Sequence, residues 1–344
     1  MINDWLIVFF FVDDIIYAYR VIDEPRANDF RTKLMQRFEI RDLGETTWFL
    51  GMKITRNRPQ RKLWISLESY FEKIAAKFHL DTRGAPRTPM TLQHLEPYEG
   101  TATAAETHLF QKLVGSAIYP TVLLRLDAAY PANRLSRYLQ NPSPEHRSAV
   151  NRVLEYLVST KQRGMLFDGE HQGPEMEVFT DASFADDSTD RKSSQGYMIT
   201  LYGTPIAWRA SKQPTVTTSS IEAELFALTE ASKEAIATIR LFASIRFHLH
   251  KDIVIWCNNK QTIRLVTADI PRLRTALRHV DNHNAWVRQE VQKGTFKVQY
   301  LETDKMPADG LTKVLPKAKL DQFIRQCNLV DVPTPEAPTH TPFP

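Results

Sequence analysis

The first apolar run, residues 5–12 (WLIVFFFV), is unbroken, stops at Asp13 and Asp14, and resumes as IIYAY. A short continuous run of this kind reads as a buried strand. It is far below the roughly 20 residues a membrane span needs. With no basic stretch or small-residue cleavage site around it, it is not expected to be a targeting signal. Two runs rich in β-formers follow, TWFLGMKI and KLWISL, separated by the Pro-containing, charged TRNRPQR; they predict a hairpin with a basic loop. ESYFEKIAAKFHL then changes period, with Phe71, Ile74, Ala75 and Phe78 on one helical face. After the connection GAPRTPM the pattern stays helical through LFQKLVGSAIYPTVLLRLDAAYPANRLSRYLQ and SPEHRSAVNRVLEYLVST. The second of these should start at Ser143 as N-cap with Pro144 at the first helical position. Val150, Val153, Leu154 and Leu157 form its apolar face.

From residue 172 the rhythm changes again. MEVFTDASFADD, GYMITLYG and TPIAWRA read as three strands, and TTSSIEAELFALTEASKEAIATIRLFASI as a long helix with Ser219 and Glu222 as a capping box. Ile221, Leu225, Leu228 and Ile239 share a face of that helix. A strand (DIVIWCNN), two helices (KQTIRLV, VDNHNAWVRQEVQKG), a strand (TFKVQYL) and a last helix opening at PADGLTKVL complete the order βββαβααβα, a mixed sheet flanked by helices. The division expected is therefore 1–85, 86–171 and 172–330, followed by a Pro/Thr-rich tail, 331–344, too polar to fold.

At 344 residues the chain is long enough for two or three domains, and its 42% apolar and 24% charged content is that of a globular protein. A net charge of +4 permits a polyanionic partner without requiring one. With only Cys257 and Cys327, a disulfide framework or Cys-based zinc site is excluded, and a reducing, intracellular setting (cytoplasm or nucleus) is expected. No membrane association is expected.

The candidate chemistry lies in the carboxylates. Asp13 and Asp14 interrupt two apolar runs, where charge is costly without a partner or metal. In the third segment Asp181 ends a strand, Glu224 lies one turn into the long helix, and Asp309 opens the last helix. Acids brought from separate elements to the end of a sheet can hold Mg²⁺, a hard cation that prefers oxygen. By spacing alone they also read as helix-start residues favoured by the dipole.

Several long motifs decide between these. VFTDASFADDSTDRKSSQGYMI, SKQPTVTTSSIEAEL, IWCNNKQTIRL, LRHVDNHNAWVRQEV and PADGLTK together resemble the ribonuclease H domain of Ty1/copia-type retrotransposon Pol polyproteins. FFFVDDII is similar to the reverse transcriptase motif Y-V-D-D, and FEIRDLGETTWFLGMKI to the palm end and primer grip. FQKLVGSAIYP, NRLSRYLQNPSPEH and RVLEYLVST resemble the connecting segment. The resemblance runs from about residue 2 to 317 with the motifs in order. It implies an α/β ribonuclease H-like fold, a five-stranded mixed sheet with flanking helices, preceded by a partial reverse transcriptase palm/thumb and a helical connection. It also implies an Mg²⁺ (or Mn²⁺) dependent two-metal hydrolysis of the RNA strand of RNA–DNA hybrids. Matched residue by residue, the four site acids fall at Asp181, Glu224, Asn258 and Asp309; the third is an amide in this chain. Asn is neutral and offers one carbonyl oxygen, so metal affinity and hydrolysis are expected to be impaired, with a non-catalytic hybrid binder or a decayed remnant as the alternatives. Asp186, Asp187 and Asp190 read as a solvated loop, and Glu222 as pointing away from Glu224.

Arg191, Lys192, Arg209, Lys212 and the loop RNRPQRK are candidates for phosphate contacts, and Trp208 for stacking. His279 and His283, flanking Asp281, read as substrate contact or helix packing rather than a zinc site. By resemblance Asp13 and Asp14 are the hairpin pair of a polymerase metal site, but only twelve residues precede Asp13, which leaves no room for the family's partner acid. No DNA synthesis is expected.

Overall fold

The structure, a computed structural model, describes residues 2–3, 6–249, 252–268 and 278–333. In chain order its elements are β1 (Ile2–Asn3), β2 (Leu6–Phe11), β3 (Asp14–Tyr19), α1 (Glu24–Arg37), β4 (Trp48–Phe49), β5 (Met52–Asn57), β6 (Lys62–Ser66), α2 (Glu68–Phe78), α3 (Ala104–Leu123), α4 (Ala129–Ser136), α5 (Pro144–Ser159) and β7 (Arg163–Asp168). They continue with β8 (Met176–Ser183), β9 (Ser194–Leu201), β10 (Thr204–Lys212), α6 (Ser220–Ser244), β11 (Val254–Cys257), α7 (Lys260–Thr267), α8 (Arg278–Gln292), β12 (Lys297–Tyr300), α9 (Lys317–Gln326) and β13 (Leu329–Asp331).

The ribonuclease H-like sheet has the order β10-β9-β8-β11-β12. Its first three strands are antiparallel neighbours, and β11 and β12 run parallel to β8. Returning parallel to β8 requires a crossover, which α6 supplies. Its start is capped as expected, with the Glu222 N–H donating to Ser219 Oγ, but the Glu222 carboxylate reaches back to Thr218 rather than to Ser219. Strand alternation sorts the two faces. Val178 and Ile199 face α6, with Leu225, Leu228, Ile255 and Phe296. Phe179, Met198, Trp208 and Ala210 face the other way, into a core with Leu113, Val114, Ala117 and Leu154 of α3 and α5.

Beside it runs a second five-stranded sheet, β13-β7-β6-β5-β4. The expected hairpin is its β5–β6 pair; β7 adds to β6, and β13, from the far end of the chain, adds to β7. This sheet draws strands from all three expected segments. Ser143 caps α5 with Pro144 at its start, as the pattern implied. The expected last helix at 307 is instead a tight 3₁₀ turn, Pro307–Leu311, and α9 begins only after Pro316. Of the tail, Asp331 closes β13, and residues 334–344 lie outside the described residues.

The β1-β2-β3 sheet departs from the expected burial. Leu6 and Val8 are buried, but Phe9, Phe10 and Phe11 are each about half exposed. With three strands and only two residues in β1, this sheet has open edges and little to cover its apolar faces. No described helix is long and apolar enough to cross a membrane.

Candidate active site

Strand register brings the expected acids together. Thr180 of β8 is opposite Cys257, the last residue of β11, so the next residues, Asp181 and Asn258, lie side by side; Asp181 does not end its strand as expected, because β8 stays paired with β9 as far as Ser183. Asn258 Nδ2 donates to Asp181 Oδ1 at 2.9 Å. From above, α6 contributes Glu224, and the 3₁₀ turn contributes Asp309. That turn can approach because residue 196, opposite Asp181 on β9, is glycine: a Cβ there would lie 2.6 Å from Leu311 Cβ.

Asp181 is fully buried and Glu224 nearly so. Thr312 Oγ1 and the Lys313 ammonium both engage Asp181 Oδ2. Lys313 Nζ is 3.3 Å from that oxygen and 3.1 Å from Asp309 Oδ1. Glu224 Oε2 is buried with no hydrogen-bond partner. Burial, then the Asp181 charge, pushes the Glu224 carboxyl well above the usual carboxylate range, against the opposing pull of Lys313. Asp309 is pushed up to about 6 by burial and Asp181, again opposed by Lys313. Burial would lower the Lys313 ammonium, but Asp181 and Asp309 outweigh it and raise it. These shifts describe clustered negative charge short of positive charge.

The donor set, carboxylate oxygens with one buried and unpartnered, has the chemistry a hard divalent cation requires. As they stand, however, no three His, Cys, Asp or Glu side chains among the described residues converge on a metal position; the Asp181 oxygens are engaged by Asn258, Thr312 and Lys313 instead. Thr312, Lys313 and Gly196 were not singled out from sequence, although Thr312 and Lys313 stand inside the quoted motif PADGLTK and Gly196 inside VFTDASFADDSTDRKSSQGYMI.

The remaining candidates divide. Asp13 and Asp14 sit exposed at the β2–β3 turn, apart from this cluster. Arg191 and Arg209 are exposed, and Lys192 makes only a loose 3.9 Å pair with Asp190. Lys212 is not free for phosphate: it lies 2.7 Å from both Asp187 and Asp190. Nor is Trp208 a free stacking surface, since its indole N–H donates to Thr121 O at 2.7 Å and the ring faces the α3 side. The loop 184–192 is no solvated acid run. Asp187 is 4% exposed and gathers Arg134, Arg137 and Lys212, while Asp186 accepts from the Ser194 backbone and hydroxyl. Despite burial, those partners hold the Asp187 carboxyl far below its usual range. His283 packs against the Phe226 ring, 4.7 Å between centroids, in keeping with helix packing; the side chains of His279 and Asp281 lie outside the described residues.

No protein-family model matches the chain. It is 34% identical over 327 residues to the retrovirus-related Pol polyprotein from transposon TNT 1-94 of Nicotiana tabacum, covering 93% of this chain and 24% of that protein. It is 30% identical over 324 residues to the corresponding polyprotein from transposon RE1 of Arabidopsis thaliana, covering 94% and 22%. Among solved structures it is similar to the foamy viral protease-reverse transcriptase in complex with RNA/DNA hybrid, at 16% identity and a TM-score of 0.47, over 97% of this chain and 38% of that one. The chain spans about a quarter of the length of these two polyproteins. Polyprotein relatives along nearly the whole chain, a ribonuclease H-like sheet and a carboxylate cluster at its strand ends agree: the chain belongs to the retrovirus-related Pol polyproteins of Ty1/copia-type retrotransposons and carries a ribonuclease H-like domain.

Proposed function

We propose that residues 172–330 form a ribonuclease H-type unit that binds RNA–DNA hybrids and hydrolyses the RNA strand slowly, its rate cut by Asn258. The observation that carries this reading is the meeting of Asp181, Glu224 and Asp309 at one buried corner with Asn258 hydrogen-bonded into it. Those three acids would hold Mg²⁺ or Mn²⁺, which supplies an activated water and charge stabilisation at the phosphodiester. The chain's own residues orient the acids: Thr312 and Asn258 fix the Asp181 carboxylate, and Gly196 admits the turn that carries Asp309. Exposed Arg191 and Arg209 are offered to backbone phosphates.

The test is a labelled RNA–DNA hybrid incubated with the purified chain and Mn²⁺. Slow RNA-strand cleavage is expected, abolished in Asp181→Asn, with hybrid binding kept in both. Binding without any cleavage would replace this reading with that of a non-catalytic hybrid-binding protein.

The β2–β3 hairpin supports no polymerase chemistry by itself. Asp13 and Asp14 are exposed, and among the described residues no third carboxylate joins them. On a primed RNA template the chain is expected to incorporate no labelled dNTP; incorporation above the level of an Asp13→Asn/Asp14→Asn control would refute this.

A further inference from the structure

The ammonium of Lys313 occupies the place where a cation bridging two of the acids would stand. It lies 3.1 Å from Asp309 Oδ1 and 3.3 Å from Asp181 Oδ2. It is delivered there by a short tether: the Lys313 backbone N–H donates to Asp309 O at 3.0 Å, so the side chain folds back onto the carboxylate four residues earlier. The other Asp181 oxygen is taken by Asn258 and the shared one also by Thr312. An ammonium holds oxygens at about 3 Å, whereas Mg²⁺ binds them at about 2 Å. A divalent ion in the same place therefore needs the lysine gone and each carboxylate drawn inward by roughly 1 Å. The Lys313 side chain is 38% exposed against 1% for Asp181, so it has a route to solvent that the acid lacks. Glu224 Oε2, buried and unpartnered, is the ligand atom left waiting.

We propose that Lys313 is a built-in counterion of the carboxylate site, and that a divalent cation bridging Asp181 and Asp309 must first displace its ammonium. This rests on the ribonuclease H-type reading of the site and adds a regulation to it. The site is self-neutralised when metal is scarce and opens only when the cation concentration is high enough to evict the lysine. Asn258 strengthens the effect, since the missing fourth charge costs an entering divalent ion about twice what it costs the monovalent ammonium in the same place.

The experiment is calorimetric titration of Mn²⁺ into the full chain, as wild type, Lys313→Met and Lys313→Arg, with melting temperatures in EDTA and in Mn²⁺. Lys313→Met is expected to bind Mn²⁺ on the order of tenfold more tightly, to melt lower than wild type in EDTA and to gain more from Mn²⁺. Lys313→Arg, which keeps the charge, is expected to stay near wild type. Should Lys313→Met fail to fold, Lys313→Gln removes the same charge with a polar side chain. Unchanged or weaker Mn²⁺ affinity in the neutral variants overturns the proposal, even where wild type binds hybrid normally. Wild type that binds neither Mn²⁺ nor hybrid overturns the ribonuclease H-type reading, and this proposal with it.

Discussion

Asn258→Asp is expected to raise the rate of Mg²⁺-dependent cleavage of the RNA strand by about 10³, near 4 kcal/mol of transition-state stabilisation. The position is set by backbone pairing rather than by the side chain. Cys257 stays opposite Thr180 whatever follows it, so an aspartate at 258 falls beside Asp181 as the amide does. The amide donates a 2.9 Å hydrogen bond to Asp181 Oδ1 and brings no charge. A carboxylate there reverses both properties: it cannot donate when ionised, and it adds a fourth negative charge to a cluster in which Glu224 and Asp309 already resist ionisation. The gain should therefore carry a cost visible without metal. Asn258→Asp is expected to melt lower than wild type in EDTA and to recover in Mg²⁺, because the cation binds the folded state alone. Single-turnover cleavage of a labelled hybrid, beside both melting curves, decides it. Equal rates for wild type and variant would show that Asn258 is not what limits the site.

How far these features could be read from residues alone depended on how local their causes were. The strand–helix order of 172–330 rests on period and caps, which are local, and it stands apart from the 3₁₀ turn at Pro307–Leu311. Asp181, Glu224 and Asp309 were legible as candidates because the motifs matched them, although Asp181 lies two residues short of the end of β8, Glu224 in the first turns of α6 and Asp309 within the 3₁₀ turn. Asp187 was misread because its cations come from elsewhere. Arg134 and Arg137 lie about fifty residues upstream, in the last turn of α4 and just past its end, which nothing in SFADDSTDRKSS announces. Trp208 was misread likewise, since its partner Thr121 is 87 residues away. The second sheet pairs residue 65 with 165 and 165 with 329; strand pairing over such separations leaves no periodic trace. Sequence also valued the run at 5–12 as buried, though a strand's burial depends on what covers it, and here three phenylalanines stay exposed.

The largest loss of stability is expected from a pair the sequence did not mark, Arg125 and Asp127. Both side chains are fully buried, and the guanidinium grips the carboxylate through two bonds, Nε to Oδ1 at 2.9 Å and Nη2 to Oδ2 at 2.8 Å. Tyr156 OH donates to Asp127 at 2.6 Å, Arg163 lies 3.3 Å away, and Arg125 also donates to Thr160 O and Oγ1. These contacts tie the turn after α3 to α5 and β7. Burial alone would raise the Asp127 carboxyl, but Arg125 first, then Arg163 and Tyr156, lower it to about 2. A carboxyl held lower when folded stabilises the fold above its unfolded value near 4, and that contribution, about 2 kcal/mol, disappears as pH falls through about 2. Asp127→Asn keeps the shape and removes the charge, stranding a buried guanidinium, so a loss of roughly 3–5 kcal/mol is expected at pH 7. Converting both residues together, Arg125→Met with Asp127→Leu, should restore much of it, because the cost comes from the unpaired charge and not from the missing attraction. Urea melts of the three proteins between pH 7 and pH 2.5 read both effects. The single variant should be weakest at neutral pH and lose less than wild type on acidification; a single variant as stable as the double would show that the buried arginine is not stranded at all.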